Sequence, residues 1–190
     1  MIETVKKILE DSIAAKQEFL ADEKNLSAVV HAAEVMIESI KKGGKILLFG
    51  NGGSAADSQH FAAELVVRFE KERKGLPAVA LTTDTSILTA SANDYDYNKI
   101  FSRQIEALAG ADDVIVAIST SGNSPNVLEG VNVAKEKKLI VVALTGKDGG
   151  KLVGEADVAI VARSDNTARV QEVHETVIHI ICKLVEDAFA

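Results

Sequence analysis

The sequence predicts an α/β fold of three layers (αβα), in which helices cover both faces of a five-stranded parallel sheet. Short apolar runs that suit strands alternate with segments of helical periodicity along the chain, as in proteins built from parallel strands and crossover helices. The strand candidates are continuously apolar rather than alternating, which indicates burial on both faces of the sheet. With 190 residues, 47% of them hydrophobic, the chain is long enough to bury a sizeable core as one domain spanning residues 1–190.

Two helices are predicted before the first strand, over residues 2–20 and 25–41. Their apolar residues recur at helical spacing, and Gly43 and Gly44 end the second helix. Two leading helices are more than a minimal α/β domain needs. We therefore expect residues 1–42 to pack partly on the sheet and partly against other copies of the chain.

The remaining elements alternate. Asp84 suits the N-cap of a short helix, Pro125 suits the first turn of another, and residues 93–97 read as a polar loop. Strands are predicted at 45–49, 78–81, 112–118, 139–144 and 158–161, and helices at 54–70, 84–91, 100–109, 125–137 and 167–188.

Composition and charge argue against several classes of partner. The net charge is −7, aromatic residues make up 4% and tryptophan is absent, so we expect neither nucleic acid nor an anionic membrane surface as a partner. The single Cys182 excludes an intramolecular disulfide and suits a reducing compartment. The N-terminus lacks the apolar core of a signal peptide, and no apolar run approaches a membrane span, so a cytoplasmic location is expected.

A glycine-rich turn follows the first predicted strand and opens the next helix. Asn51, Gly52, Gly53 and Ser54 form this turn, and a helix N-terminus of this kind favours an anion. The segment also fits the dinucleotide pattern G-x-G-x-x-A. The first acidic residue after the next strand, Asp84, lies 34 residues after Gly50, later than the spacing of about 20 that this pattern requires, which disfavours a nicotinamide cofactor.

A second polar loop follows the third predicted strand. Ser119, Thr120, Ser121 and Ser124 place four hydroxyls between a buried strand and a helix N-terminus, where they could surround a phosphate or a similar anion. The alternative is that they only cap the helix, a position that serine and threonine favour in any case. The segment is not a P-loop, because the G-x-x-x-x-G-K pattern is missing.

Two helices carry residues suited to proton transfer or to metal binding. His60 and Glu64 lie four residues apart on one helix, and Gln171 and His179 lie on the final helix. Imidazole and carboxylate are ordinary zinc ligands, and an amide oxygen is a weaker one. The same groups could instead act directly as acid and base, and spacing alone does not decide between these uses. His174, amid apolar neighbours, is interpreted as a packing or interface residue.

Together these motifs resemble the sugar isomerase (SIS) domain, and within it the phosphoheptose isomerase family. The similarity extends over essentially the whole chain, and the combination is far more specific than any single motif. It is carried by Gly-Asn-Gly-Gly-Ser at 50–54, His-Phe-Ala-Ala-Glu at 60–64, Ser-Thr-Ser-Gly-Asn-Ser at 119–124, Leu-Thr-Gly-Lys-Asp-Gly-Gly at 144–150 and Ala-Arg-Val-Gln-Glu-Val-His at 168–174.

The resemblance implies a flavodoxin-like fold, a sugar-phosphate substrate and a homotetramer with sites between subunits. It implies one zinc ion per subunit, with His60, Glu64, Gln171 and His179 as ligands, and Glu64 and His179 as the catalytic acid/base pair. The implied substrate-binding residues are Asn51, Gly52, Gly53, Ser54, Glu64, Asn93, Asp94, Ser119, Thr120, Ser121, Ser124 and Gln171.

The reaction that the resemblance implies is conversion of sedoheptulose 7-phosphate to D-glycero-D-manno-heptose 7-phosphate through an enediol, a step of heptose biosynthesis. The sequence does not tell whether the heptose goes to lipopolysaccharide, another glycan or a nucleotide-activated heptose. A competing hypothesis is a non-catalytic regulator resembling the DnaA initiator-associating protein, which shares much of the fold. That relative lacks histidine at the position of His179 and has an altered first loop. This chain keeps both features, which favours the enzyme.

Overall fold

A computed structural model describes all 190 residues and contains one parallel sheet of five strands in the order β2-β1-β3-β4-β5. The strands are β1 (Ile46–Gly50), β2 (Ala78–Ala80), β3 (Val114–Ser119), β4 (Ile140–Gly146) and β5 (Val158–Ala162). In the register of the sheet, Gly50 at the end of β1 pairs with Ile118 of β3. The two polar loops that follow β1 and β3 therefore lie side by side at the carboxyl ends of these neighbouring strands. The predicted fold class is confirmed.

Eight α-helices surround the sheet: α1 (Ile2–Leu20), α2 (Glu23–Lys41), α3 (Gly53–Val66), α4 (Thr85–Asp94), α5 (Ser102–Leu108), α6 (Pro125–Glu136), α7 (Leu152–Glu155) and α8 (Thr167–Asp187). A short 3-10 helix spans Tyr97–Lys99. The Asp84 carboxylate accepts from the Ile87 amide as the predicted N-cap of α4, and Pro125 opens α6. None of the helices combines the length and the apolar run that crossing a membrane requires.

Apart from shifts of one or two residues at element ends, the structure differs from the sequence-based predictions in three places. Helix α3 ends at Val66 rather than near residue 70, and α7 was not predicted. Asn93 and Asp94 lie in the last turn of α4 rather than in a polar loop. Each difference concerns an element end or a single helical turn, where local sequence signals are weakest.

Two apolar layers form the core, one on each face of the sheet. The larger layer packs α2, α3 and α8 on one face, with Phe61 and Ile178 among its fully buried residues. The second layer packs α5 and α6 on the other face around Phe101 and Ile105. Strands β1 and β3 are buried throughout, whereas β2 forms one sheet edge and exposes Val79.

Helices α3 and α8 lie side by side and point in the same direction. Gln171 near the start of α8 contacts Gly53 at the start of α3, and His179 further along α8 contacts His60 of α3. Beyond the end of α3, the Phe69 amide donates to the Glu186 carboxylate near the end of α8. This parallel seam brings together the chemically active residues of the two helices.

Helix α1 buries none of its residues, although it is 19 residues long. Ala15 and Phe19 pack partly against the core, and the Arg169 guanidinium of α8 donates to the Ile8 carbonyl at 2.6 Å. An apolar stripe faces outward, and each of its side chains is more than half exposed. The stripe consists of Ile2, Val5, Leu9, Ile13 and Leu20.

Candidate active site

The turn after β1 is fixed by a pair of reciprocal hydrogen bonds to helix α6. The Asn51 amide donates to Asn126 Oδ1 at 2.8 Å, and the Asn126 amide donates back to Asn51 Oδ1 at 2.8 Å. Asn126 is buried. Gly52 follows with φ of +56° at the N-cap of α3, a left-handed conformation that favours glycine. Gly52 supplies no side-chain cap, and the amides of Ser54 and Ala55 donate to the carbonyls of Asn51 and Gly52, which leaves the Gly53 amide for a ligand at the start of α3.

The hydroxyls after β3 face one another rather than the backbone of the following helix. Ser119 Oγ lies 3.0 Å from Ser124 Oγ and 3.5 Å from Ser121 Oγ. Ser124 occupies the N-cap position of α6, but its side chain makes no capping hydrogen bond. The capping alternative therefore does not account for this hydroxyl, and the cluster can surround a tetrahedral anion at the N-terminus of α6.

The segment that follows β4 is hydrogen-bonded to the loop of hydroxyls at residues 119–124. The Leu152 amide donates to the Gly122 carbonyl, and the Lys151 amide donates to Asn123 Oδ1. A Cβ at Gly122 would lie 1.9 Å from the Gly149 carbonyl oxygen, so only glycine fits this close approach. Gly149 and Gly150 both have positive φ, +94° and +57°, and a Cβ at Gly150 would lie 2.5 Å from the Ser121 carbonyl oxygen, so both positions favour glycine.

Two histidines and a carboxylate meet at the middle of the seam between α3 and α8. His60 Nε2 lies 3.0 Å from His179 Nε2, and Glu175 Oε1 lies 3.1 Å from His60 Nε2 and 3.3 Å from His179 Nε2. Glu64 Oε1 lies 3.5 Å from His60 Nε2. These donor types and distances suit a divalent metal ion, and we call the group the seam cluster.

The sequence predicted His60, Glu64 and His179 as members of this group but not Glu175. Glu175 lies one helical turn before His179 and one turn after Gln171, so all three share one face of α8. This spacing was visible in the sequence. What it could not supply was the packing of that face against α3.

Gln171 lies closer to the glycine turn than to the seam cluster. A Cβ at Gly53 would lie 2.0 Å from Gln171 Nε2, so the side chain rests directly over the first turn of α3. Its amide can contact a ligand held at that turn.

Negative charge is concentrated near the seam cluster. Burial, reinforced by the Glu175 carboxylate and partly offset by His60, raises the pKa of Asp57 to about 6. The Oδ2 atom of Asp57 is buried without a hydrogen-bond partner. Asp57, Glu64 and Glu175 thus place three carboxyl groups near His60, a balance that favours binding of a cation.

The segment after α3 is attached to α8 by a buried acidic side chain. The Glu186 carboxylate is fully buried and accepts from the amides of Phe69, Glu70 and Lys71 at 2.8 to 2.9 Å. Burial tends to raise the pKa of Glu186, but these amides and the Arg73 guanidinium outweigh it and leave the pKa lowered. The attachment brings the Phe69 ring to 5.5 Å from the ring of His179.

Arg73 connects this attachment to Glu64. Its Nε lies 3.2 Å from Glu186 Oε1, and its terminal nitrogens donate to the carbonyls of Glu64 and Leu65 at 2.8 and 2.9 Å. These carbonyls belong to the last turn of α3, where no following helical turn supplies amide groups to donate to them. The buried ion pair therefore holds the helix end that carries Glu64.

His174 is a core residue and lies outside the seam cluster. It is fully buried, and its Nε2 lies 3.0 Å from the Thr145 carbonyl oxygen, to which it donates when neutral. Burial lowers the pKa of His174 to about 4, although the hydrogen bond to Thr145 opposes the shift. The packing interpretation of His174 fits this environment.

Asn93 and Asp94 are separate from the other predicted site residues within this chain. Both are exposed at the end of α4, and the Asn93 amide donates to Asp94 Oδ1 at 2.8 Å. Neither forms a hydrogen bond or ion pair with the two loops or the seam cluster.

Comparison with known proteins places these features in a family. The SIS domain family profile matches residues 9–146. The phosphoheptose isomerase of Thermodesulfovibrio yellowstonii is 49% identical over 183 residues, covering 96% of this chain and 90% of the relative. That of Citrifermentans bemidjiense is 55% identical over 159 residues, covering 84% and 83%. The structure of phosphoheptose isomerase GmhA from Neisseria gonorrhoeae superposes with a TM-score of 0.92 at 47% identity, covering 97% of this chain and 98% of that one.

Proposed function

The chain belongs to the SIS domain family, among its phosphoheptose isomerases, and from this membership we propose that it converts sedoheptulose 7-phosphate to D-glycero-D-manno-heptose 7-phosphate. The observation that carries the proposal is the pairing of two distinct subsites along one helix. The glycine turn lies at the start of α3, beside the loop of hydroxyls at the start of α6, and the seam cluster lies seven residues further along α3, about 10 Å along the helix axis. This arrangement suits a substrate held at its phosphate and reacting at its other end.

The phosphate end of the substrate is assigned to the two polar loops. Ser119, Thr120, Ser121 and Ser124 donate hydroxyls, and Asn51, Gly52, Gly53 and Ser54 form the facing turn, in which the Ser54 amide already donates to the Asn51 carbonyl. Neutral donors at helix N-termini can hold a phosphate although the chain as a whole is acidic. Binding energy from this remote group fixes the reacting carbons near the seam cluster.

The reacting end requires a proton to move between two carbons. In our mechanism the Glu64 carboxylate removes the proton from C1 of the ketose, and the C1–H electron pair forms the C1=C2 bond of an enediol. His179 donates a proton to the carbonyl oxygen at C2. Glu64 then returns its proton to C2, which takes up the electron pair of the C1=C2 bond. His179 accepts the proton of the O1 hydroxyl, and the O1–H electron pair forms the C1=O bond of the aldehyde.

Zinc is the proposed cofactor, with one ion per chain. The two imidazoles and the carboxylates of the seam cluster are ordinary zinc ligands, and His60, Glu64, Gln171 and His179 are the residues assigned to hold it. When bound, the ion would polarise the substrate carbonyl and favour the charge that develops on its oxygen.

We also propose that the chain assembles as a homotetramer and that a site uses residues of more than one copy. The exposed apolar stripe of α1 supports self-association, and so does the separation of Asn93 and Asp94 from the other predicted substrate contacts within one chain. In this proposal Asn93 and Asp94 bind sugar hydroxyls at a site that a second copy completes.

A non-catalytic regulator related to the DnaA initiator-associating protein is the less favoured function. His179 is present and contacts His60, and the Gly-Asn-Gly-Gly-Ser turn is intact. Relatives with 49% and 55% sequence identity to this chain are named phosphoheptose isomerases. All three observations support the enzyme.

Isomerisation of sedoheptulose 7-phosphate by the purified protein tests the reaction and the metal together. We expect turnover to fall when a chelator removes the metal and to return when zinc is restored. Turnover that a chelator does not affect would leave Glu64 and His179 as direct acid and base. Folded protein without turnover under any of these conditions would contradict the proposed reaction.

The Glu64→Gln variant tests the assignment of the carbon base. We expect kcat to fall by about 100- to 10,000-fold, because an amide cannot accept the C1 proton, while the phosphate end still binds. Glu38→Gln provides the control, since Glu38 is an exposed carboxylate on α2 that pairs only with Lys41. Full activity of Glu64→Gln would exclude Glu64 as the base.

A further inference from the structure

Asn126 is a buried polar residue that the mechanism above does not use. It lies in the first turn of α6, two residues after Ser124, and only 2% of it is exposed. The only hydrogen bonds of its side chain are with Asn51, in the glycine turn at residues 51–54. Burial of an amide is costly unless its polar atoms find partners, so the pair explains how the fold tolerates Asn126 but not why an amide is needed there.

The partner of Asn126 belongs to a different loop of the candidate site. Asn51 Nδ2 donates to Asn126 Oδ1, and Asn126 Nδ2 donates to Asn51 Oδ1, each at 2.8 Å. Because each amide is both donor and acceptor to the other, the pair fixes the distance and the relative orientation of the two side chains. The two residues are 75 positions apart, so the pair is a tertiary link between the turn after β1 and the start of α6.

Each side of this link carries donors that are free to bind an anion. On one side, the Gly53 amide lies two residues after Asn51 and has no acceptor within the chain. On the other side, the Ser124 hydroxyl makes no capping hydrogen bond, and the backbone amide of Asn126 has no acceptor within the chain. The pair therefore joins the two places at which the proposed phosphate site has unused donors.

We propose that Asn126 is a positioning residue, which acts through Asn51 to hold the glycine turn and the loop of hydroxyls at the spacing that one phosphate group requires. This inference rests on the proposed phosphate site and adds a residue to it. Donors in a binding site must be held within about 0.5 Å of the productive geometry, and loops reach this precision only when other contacts lock them. The Asn51–Asn126 pair supplies such a lock between the two loops.

The alternative is that the pair only stabilises the fold. Asn25 supplies a matched comparison, because it is a second buried asparagine with reciprocal hydrogen bonds, here to the backbone of Val161 in β5 at 2.8 and 3.0 Å. Strand β4 separates β5 from β3, and neither Asn25 nor Val161 belongs to the two loops. Asn25→Ala thus removes buried hydrogen bonds of the same kind outside the proposed phosphate site.

A double-mutant cycle on Asn51 and Asn126 tests the proposal, with affinity for inorganic phosphate measured by isothermal titration calorimetry. We expect Asn126→Ala to weaken phosphate binding by about tenfold, and Asn51→Ala to weaken it at least as much. Because Asn126 acts through Asn51, adding Asn126→Ala to Asn51→Ala should weaken phosphate binding by less than about twofold further. Asn25→Ala should keep the wild-type affinity even where it lowers stability.

Urea denaturation shows whether each variant is folded. If the cavity left by Asn126→Ala prevents folding, Asn126→Leu removes the same hydrogen bonds with a side chain of similar size. Asn51→Ala breaks the same pair from the partly exposed side, where water can replace the lost partner.

Kinetics with sedoheptulose 7-phosphate give a second readout. We expect kcat/KM of Asn126→Ala to fall by about tenfold, mainly through KM, because the seam cluster is unchanged. A folded Asn126→Ala variant with phosphate affinity and KM within about twofold of the wild type would overturn the proposal. So would an equal loss of phosphate affinity in Asn25→Ala, or a full loss from Asn126→Ala in the Asn51→Ala background, since Asn126 would then act through stability or independently of Asn51.

The inference and the proposed function fail in different ways. If the wild type binds phosphate but does not isomerise the heptose phosphate, the proposed reaction is wrong, and the cycle still decides the role of Asn126. If the wild type isomerises its substrate but does not bind inorganic phosphate, the assignment of the phosphate to the two loops and the role of Asn126 are both wrong, while the reaction stands.

Discussion

At the scale of single residues, His174 makes the stability of the folded protein depend on pH. The pKa of its buried imidazole is lowered from 6.5 to about 4 by burial, so the ring stays neutral in the folded protein while the unfolded chain binds a proton below pH 6.5. The unfolded state therefore binds more protons in this range, and stability falls as pH decreases from 6.5 toward 4. The shift corresponds to about 3 kcal/mol at most.

The His174→Gln variant isolates this contribution. Glutamine can still donate to the Thr145 carbonyl but does not titrate, so we expect the loss of unfolding free energy between pH 7.5 and pH 4.5 to be smaller by about 2 to 3 kcal/mol than in the wild type. Urea denaturation at the two pH values measures it. His31→Gln is the control because His31 is exposed, and an unchanged pH dependence in His174→Gln would contradict the prediction.

The candidate site shows which residue-level facts a sequence can supply. The polar turns after β1 and β3 could be predicted to lie together, because the carboxyl ends of parallel strands meet at the same end of the sheet. Glu175 shares a helix face with Gln171 and His179, but the sequence does not tell which of several carboxylates meets the imidazole of His60. That depends on how α3 and α8 pack, which involves contacts between distant parts of the chain.

At the scale of elements, Gly53 sets how closely α3 and α8 approach. A Cβ there would lie 2.0 Å from the Gln171 amide nitrogen, so Gly53→Ala must displace Gln171, the first turn of α3, or both. We expect kcat/KM for isomerisation to fall by about tenfold to 100-fold, because small displacements of positioned groups are costly in catalysis.

The matched control for this change is Gly154→Ala. A Cβ at Gly154 meets nothing within 4 Å, so activity should stay within about twofold of the wild type. Circular dichroism and thermal melting of both variants show whether either is unfolded. A folded Gly53→Ala enzyme with wild-type kinetics would mean that Gln171 does not need its present position.

The end of α3 shows why element boundaries were harder to predict than elements. Residues 67–70 carry no strong helix-ending signal, and a longer helix was expected. The chain leaves the helix because Glu186 binds the amides of residues 69–71 and Arg73 binds the carbonyls of the last turn. Glu186 is more than 110 residues away in the sequence, and Arg73 reaches back eight or nine residues to the helix end, so contacts beyond the helix itself decide this boundary. The strands were predictable because their continuous apolar runs carry the signal themselves.

At the scale of the whole molecule, the exposed stripe on α1 is the feature that the folded chain leaves without a partner. The helix is held by the Arg169 contact and by two partly buried side chains, while its outer apolar residues cover nothing. A contiguous exposed apolar stripe of this kind is typical of an interaction surface. In the proposed tetramer it packs against another copy of the chain.

A Val5→Ser, Leu9→Ser double variant tests this interface. Both residues lie near the centre of the stripe and are more than half exposed, so the change removes apolar contact area without disturbing the core of one chain. We expect the molar mass from light scattering to drop from that of a tetramer to that of a smaller species. Isomerase activity should fall with it, because Asn93 and Asp94 would no longer reach a site on another copy.

Glu10→Ser, on the polar face of α1, should leave mass and activity unchanged. A double variant that keeps the wild-type mass would place the interface on another surface. A smaller species with full activity would show instead that each chain holds a complete site.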